Sequence, residues 1–120
     1  MTRHQRFDVR LAPEVAEAVC ELAERPGAGA AQARRLRTAI WHLSVEGTRA
    51  SGAKKLRSLD LWEIRVGDYR VFFCPVRRTK QVAVATMLTK TVRRLPMRRQ
   101  KHIEAKVLDV MGIADISKRA

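Results

Sequence analysis

The segment Leu61-Trp62-Glu63-Ile64-Arg65-Val66-Gly67-Asp68-Tyr69-Arg70-Val71-Phe72-Phe73 constrains the fold more than any other part of the chain. Two alternating stretches flank Gly67-Asp68, the pattern of a β-hairpin closed by a two-residue turn. With that turn, Val66 lies opposite Tyr69 and Arg65 lies opposite Arg70. Trp62, Ile64, Val66, Tyr69, Val71 and Phe73 then share one face, an apolar set for a helix layer to cover. The other face presents charge. Like charges directly across a ladder destabilise it, so the pairing predicts an anion between the two guanidiniums, and phosphate fits that description. Removing one of the pair is expected to relieve repulsion and leave the fold intact.

Charge points the same way. The 120 residues carry 25 Lys plus Arg against 12 Asp plus Glu, a formal net charge of +13, and an excess of that size argues for a polyanionic partner. It is uneven: residues 54–119 hold 17 basic and 6 acidic residues, the first 53 hold 8 and 6, so the binding surface is expected mainly in the second half. No run approaches the length of a membrane span, and the N-terminus lacks the apolar core of a signal peptide. The chain is expected to be cytoplasmic, with Cys20 and Cys74 as buried free thiols rather than a disulfide framework.

Period and punctuation set the organisation. Phe7 to Leu11 alternates as a short strand, and Pro13 opens a helix with Val15, Val19 and Leu22 on one stripe, stopped at Pro26-Gly27. After a flexible Gly27-Ala28-Gly29-Ala30-Ala31 segment, Leu36, Ile40 and Leu43 mark a second helix ending near Gly47. Lys54 to Val66 is extended, Tyr69 to Val76 and Gln81 to Leu88 are strands, and a last helix from about Pro96 carries Ile103, Val107, Val110 and Met111 on one face. The expected fold is α+β: an antiparallel sheet of about four strands packed by an N-terminal helical hairpin and a C-terminal helix, as one domain over residues 1–112 with a tail at 113–120.

Leu-Trp-Glu-Ile-Arg at 61–65, Tyr-Arg-Val-Phe-Phe at 69–73, the preceding Lys54-Lys55-Leu56-Arg57, the later Lys90 and a Pro-initiated basic helix resemble the HigB-like (phage Gp49-like) branch of the RelE/ParE superfamily of bacterial type II toxins. The likeness covers roughly residues 7–111. It implies a RelE-like fold and a small ribosome-dependent endoribonuclease, or mRNA interferase, silenced by a cognate antitoxin, itself a helix-turn-helix protein that would carry any contact with operator DNA. Such a nuclease uses the substrate's 2′-hydroxyl as nucleophile, so the protein must orient the backbone, assist proton transfer and stabilise a phosphorane. By the resemblance, Arg70 and Arg65 serve the scissile phosphate, and Lys90 acts as an acid or second clamp. The basic run Arg93-Arg94-Leu95-Pro96-Met97-Arg98-Arg99-Gln100-Lys101 opposes the macrodipole of the helix it opens, a conflict that a phosphate would relieve. With Lys54, Lys55 and Arg57 it would track an RNA backbone. Phe72 is the candidate for base stacking, since core packing claims Trp62.

The chain also departs from the family. Where the best-studied mRNA-cutting members alternate two lysines on the strand before the turn, Leu61 and Glu63 stand, and no C-terminal tyrosine is present. Met87, Leu88 and Thr91 replace the Gly-Phe and second Lys of the post-strand run. A convincing general base is therefore missing. Glu63 shares the strand face of Arg65, but a carboxylate paired with arginine holds a proton poorly, and an orienting or charge-balancing role suits it better. The alternatives are a ParE-like inhibitor of DNA gyrase, which needs no phosphoryl-transfer groups, and a catalytically degenerate module that binds RNA or the antitoxin. His4, His42 and His102 are scattered without partners at ligand spacing, so neither metal nor cofactor is expected.

Overall fold

In the computed structural model, residues 6–57, 60–89 and 95–111 are described. They form β1 (Asp8–Leu11), α1 (Pro13–Glu24), α2 (Ala28–Glu46), β2 (Lys54–Lys55), β3 (Trp62–Val66), β4 (Tyr69–Val76), β5 (Gln81–Thr89) and α3 (Met97–Met111). The fold is α+β, as expected. The sheet has five strands in the order β1-β5-β4-β3-β2, one more than expected. β1 runs parallel to β5 while the other pairings are antiparallel, so the sheet is not a pure meander. A parallel neighbour needs a crossover, and the chain between β1 and β5 includes the helical hairpin and three other strands.

Local chemistry explains the helix ends. Pro13 sits in the first turn of α1, where its missing N–H costs nothing. Arg25 ends the helix in extended backbone (φ −81°, ψ 136°) because a residue before proline is driven out of the α region. The Gly27–Ala31 segment is not a flexible linker: α2 begins at Ala28, in keeping with the high helix propensity of alanine. Gly29 is needed there because a Cβ would lie 2.5 Å from Arg25 Cβ, so the two helices turn too tightly for a side chain.

The hairpin turn follows the expected register, Val66 opposite Tyr69 and Arg65 opposite Arg70. Gly67 has φ +59°, and no positive φ occurs at Asp68, the signature of a type II′ turn. The Gln32 side-chain amide donates 2.8 Å to the Val66 carbonyl and lies where a Gly67 Cβ would point, locking the turn onto α2. A register shift between Phe72 and Phe73 pairs Phe72 with Thr86 but Phe73 with Val84. The extra residue, Ala85, makes a bulge, so that Val82, Val84 and Met87 pack toward α1 and α2 while Ala83, Ala85 and Leu88 pack toward α3.

Both sheet faces build core. Ile64, Val66, Val71 and Phe73 join Val15, Val19, Leu22, Leu36 and Leu43 under the helical hairpin. The face expected to present only charge instead carries a second cluster, Leu61, Phe72, Cys74, Ala83, Ala85, Leu95, Ile103 and Val107, beneath α3. Cys74 is buried as expected, whereas Cys20 lies exposed on α1, since it falls off the stripe of Val15, Val19 and Leu22. Among the described residues, no helix is long and apolar enough to cross a membrane. The tail at 113–120 lies outside the described residues.

Candidate nucleic-acid interface

Arg65 and Arg70 face each other across the β3–β4 ladder but differ in environment. Arg65 is exposed; Arg70 is only 5% exposed. The Arg70 Nε and Nη2 both donate to Glu63 Oε2, at 2.9 and 2.5 Å, and its guanidinium carbon lies 5.3 Å from the centroid of the Phe72 ring. Glu63 pairs directly with Phe72 and Arg70 with Arg65, so Glu63 and Arg70 are diagonal neighbours on one face, a separation that long side chains bridge. The anion expected between the guanidiniums is thus supplied, for Arg70, by the protein itself. The expectation that losing Arg70 would relieve repulsion and spare the fold is corrected with it: such a loss leaves the Glu63 carboxylate buried without this partner, and breaking a buried pair costs about 3–5 kcal/mol. Both charge-assisted bonds fall on the one oxygen, Oε2, so this carboxylate is committed to Arg70.

Phe72 is fully buried in the cluster beneath α3 and has no face to offer a base, which corrects the expectation of stacking there. Bulk and strand alternation carry it under α3 together with Cys74. Trp62 is half-buried against the helical-hairpin cluster, and its indole N–H donates to Asp60 Oδ1 at 2.9 Å.

Around the Glu63–Arg70 pair opens a cleft of about 580 Å³, lined by Lys54, Lys55, Leu56, Arg57, Glu63, Arg65, Arg70, Leu95, Pro96, Met97 and Gln100. Its volume falls in the range of roughly 300–1,000 Å³ typical of ligand sites. Five cationic side chains face it and one carboxylate. Lys54 and Lys55 enter because β2 pairs antiparallel with β3, Lys54 opposite Glu63, and the Leu56 N–H closes the connection on the Leu61 carbonyl at 2.8 Å. The opposite wall is the start of α3, where the buried Gln100 amide donates to the Leu95 carbonyl at 2.9 Å. Glu104 accepts from the Asp60 N–H at 3.2 Å, tying α3 to the segment before β3, and Arg77 pairs with Asp60. At the other flank Lys106 pairs with Glu14 of α1.

Of the residues expected at the site, Lys54, Lys55, Arg57, Glu63, Arg65 and Arg70 are brought together. Arg98, Arg99 and Lys101 are exposed on α3 but do not line the cleft, which meets α3 at Met97 and Gln100. Lys90, Arg93 and Arg94 lie outside the described residues. Sequence reasoning missed Leu56, Leu95, Pro96, Met97 and Gln100 as lining. The proline that opens α3 was the available signal for that wall. A second groove of about 660 Å³ lies on the helical-hairpin side, with Leu22, Arg25, Pro26, Arg35 and Tyr69 among its lining residues; only two cations face it. Among the described residues, no group of three or more His, Cys, Asp or Glu side chains is placed to hold a metal ion.

No family profile matches the chain, and no curated protein matches it in sequence. Solved structures do match it in shape. In the archaeal RelE–RelB complex from Pyrococcus horikoshii, one chain superposes with a TM-score of 0.60 at 22% identity, over 71% of this chain and 96% of that one. In the toxin–antitoxin complex RelBE2 from Mycobacterium tuberculosis, the TM-score is 0.52 at 21% identity, over 70% and 98%. At such identities the likeness is one of fold.

Proposed function

We propose that this chain is the toxin of a type II toxin–antitoxin pair, of the HigB-like branch, and that it cuts messenger RNA on the ribosome. The observation that carries the reading is the cleft in which Lys54, Lys55, Arg57, Arg65 and Arg70 converge beside the β3–β4 hairpin, on a fold shared with chains solved in RelE–RelB and RelBE2 complexes. The residues Leu-Trp-Glu-Ile-Arg and Tyr-Arg-Val-Phe-Phe, which carry the sequence resemblance, form that hairpin. In this reading Arg65, exposed on the cleft wall, takes the scissile phosphate. Lys54, Lys55 and Arg57 hold the flanking backbone by charge. Arg70, held by Glu63, supports the site electrostatically from its floor. Lys90 is assigned as the proton donor on the resemblance alone, with Arg93 and Arg94 as further backbone contacts.

The reaction requires no protein nucleophile. The 2′-hydroxyl gives up its proton to solvent as its oxygen bonds to phosphorus, the bond to the 5′-oxygen breaks, and the leaving oxygen takes a proton, giving a 2′,3′-cyclic phosphate and a 5′-hydroxyl. Among the described residues lining the cleft no general base stands out, so in this reading most of the rate comes from alignment and from stabilising developing charge. The ribosome supplies the alignment by holding the message in an in-line geometry, so naked RNA is cut poorly. A chain with +13 formal charge also needs silencing in the cytoplasm, and an antitoxin with acidic or apolar segments suits it.

A primer-extension map of a translated message after induction tests this, run beside a gyrase cleavage assay. Breaks confined to translated messages, lost in Arg65→Ala at matched expression, are the expected result. Intact messages with accumulating gyrase cleavage complexes would overturn it. The Glu63–Arg70 pair favours a second reading, a catalytically silent RNA-binding module, because much of the Arg70 charge is already neutralised; RNA binding without message cleavage would establish that one.

A further inference from the structure

We propose that the α3 wall of the cleft, where exposed Pro96 and Met97 lie beside the buried Leu95, is a nucleobase platform, and that the cleft therefore takes single-stranded RNA in preference to duplex. The inference rests on the reading that the cleft binds RNA, but not on catalysis or on the ribosome.

The cleft has two chemically different sides. Lys54, Lys55, Arg57 and Arg65 come from the β2–β3 side, whereas Leu95, Pro96 and Met97 come from the α3 side. A ligand that fits both presents anionic charge in one direction and a flat apolar surface in the other. A single strand does so, with phosphate on one side and an unstacked base on the other, while a duplex turns its phosphates outward and keeps its bases inside. A duplex would satisfy the basic wall and leave the apolar wall wet.

Met97 is the residue that most needs such an explanation. Among the described residues only Trp41 and Met97 are large hydrophobics left exposed, Met97 at 41%, and Met97 lines this cleft. Phe72, the aromatic of this sheet face, is sealed beneath α3, Leu95 is buried and Leu56, on the other wall, is half-buried, so the exposed apolar lining offered to a base is that of Met97 and Pro96. A polarisable thioether makes favourable contacts with aromatic rings. Gln100 acts as a positioning residue: its buried amide holds the Leu95 carbonyl and thereby sets the platform against the cations opposite.

The test is fluorescence anisotropy with three probes of about twelve nucleotides, near the span of one single-strand binding site: an RNA strand, the same sequence as a duplex, and an abasic ribose-phosphate strand. Wild type should bind the strand more tightly than the duplex. Met97→Ala should weaken binding of the intact strand by about three- to tenfold, the scale of one sulfur–aromatic contact, and leave the abasic strand unchanged. Met97→Leu, close in volume, should retain most of the affinity. Arg65→Ala should weaken all three probes together. Equal losses on intact and abasic strands, no loss at all, tighter duplex binding, or no binding of any probe by wild type would overturn the inference. Message cleavage in cells is scored separately: the expected binding pattern without cleavage removes the nuclease reading and keeps the platform, and cleavage without the pattern does the reverse.

Discussion

The two faces of the sheet are covered by unequal amounts of helix, and the cleft is the difference. On one side α1 and α2 together cover the strands over an apolar cluster, with Gln32 and Ser44 of α2 also buried but no buried ion pair among the described residues there. On the other, α3 covers β4 and β5 and begins at Met97 beside the cleft, and among the described residues no helix covers the β2–β3 side of that face, where the cations line the cleft. The buried polar residues Glu63, Arg70, Gln100 and Glu104 belong to this second side. The comparison teaches that a strand alternating Trp62-Glu63-Ile64-Arg65-Val66 does not choose between core and charge: each face receives both the core and the polar groups that its helix cover permits.

Substitutions on the two sides should separate them. The largest expected effect is at the buried pair, where Arg70→Ala or Glu63→Ala should lower unfolding free energy by about 3–5 kcal/mol, read by urea denaturation. The double change Glu63→Leu with Arg70→Met should recover most of it, because apolar replacement of a whole buried pair is often neutral or stabilising. Failure to recover would mean that the polar pair, and not its volume, organises this face. On the apolar side, Leu36→Ala should cost about 2–5 kcal/mol, with no recovery by any charge change. Next comes Gly67→Ala, which forces a side chain to φ +59° and into Gln32 Oε1, 2.2 Å from its ideal Cβ; about 1–3 kcal/mol is expected from a backbone held in a sparsely populated region. The smallest stability effect is expected from Arg65→Ala, within about 0.5 kcal/mol for an exposed position, yet it should abolish growth inhibition. An Arg65→Ala variant as unstable as Arg70→Ala would erase the distinction between the two arginines.

Much of this was readable from the chain. The Gly67-Asp68 turn, the facing arginines, the helix opened at Pro13 and the apolar stripe of α1 follow from short-range rules of period, turn chemistry and proline, and all are present; of the expected α2 stripe, Leu36 and Leu43 join the core while Ile40 is only half-buried, outside the cluster. Interactions between segments distant in sequence were not readable. The parallel pairing of β1 with β5, the bulge at Ala85 and the placement of α3 over Phe72 depend on where separate elements meet. The same holds at the cleft, where residue type and strand position singled out Lys54, Lys55, Arg57, Arg65 and Arg70, but nothing local announced Leu56 or Gln100 as lining.

By itself, the sequence determined an α+β chain, strongly basic in its second half, with a hairpin that sets Arg65 against Arg70, because alternation, turn type and charge are properties of neighbouring residues. Only the tertiary structure decided that these two arginines are unlike. α3 seals Phe72, and the Arg70 guanidinium lies against that ring, bonded to Glu63. Arg65, one position across the ladder, stays exposed at the cleft. The physical reason is that burial is set by what packs over a side chain, and the cost of removing a charge from water makes a near neighbour of opposite sign the partner of whichever arginine is covered.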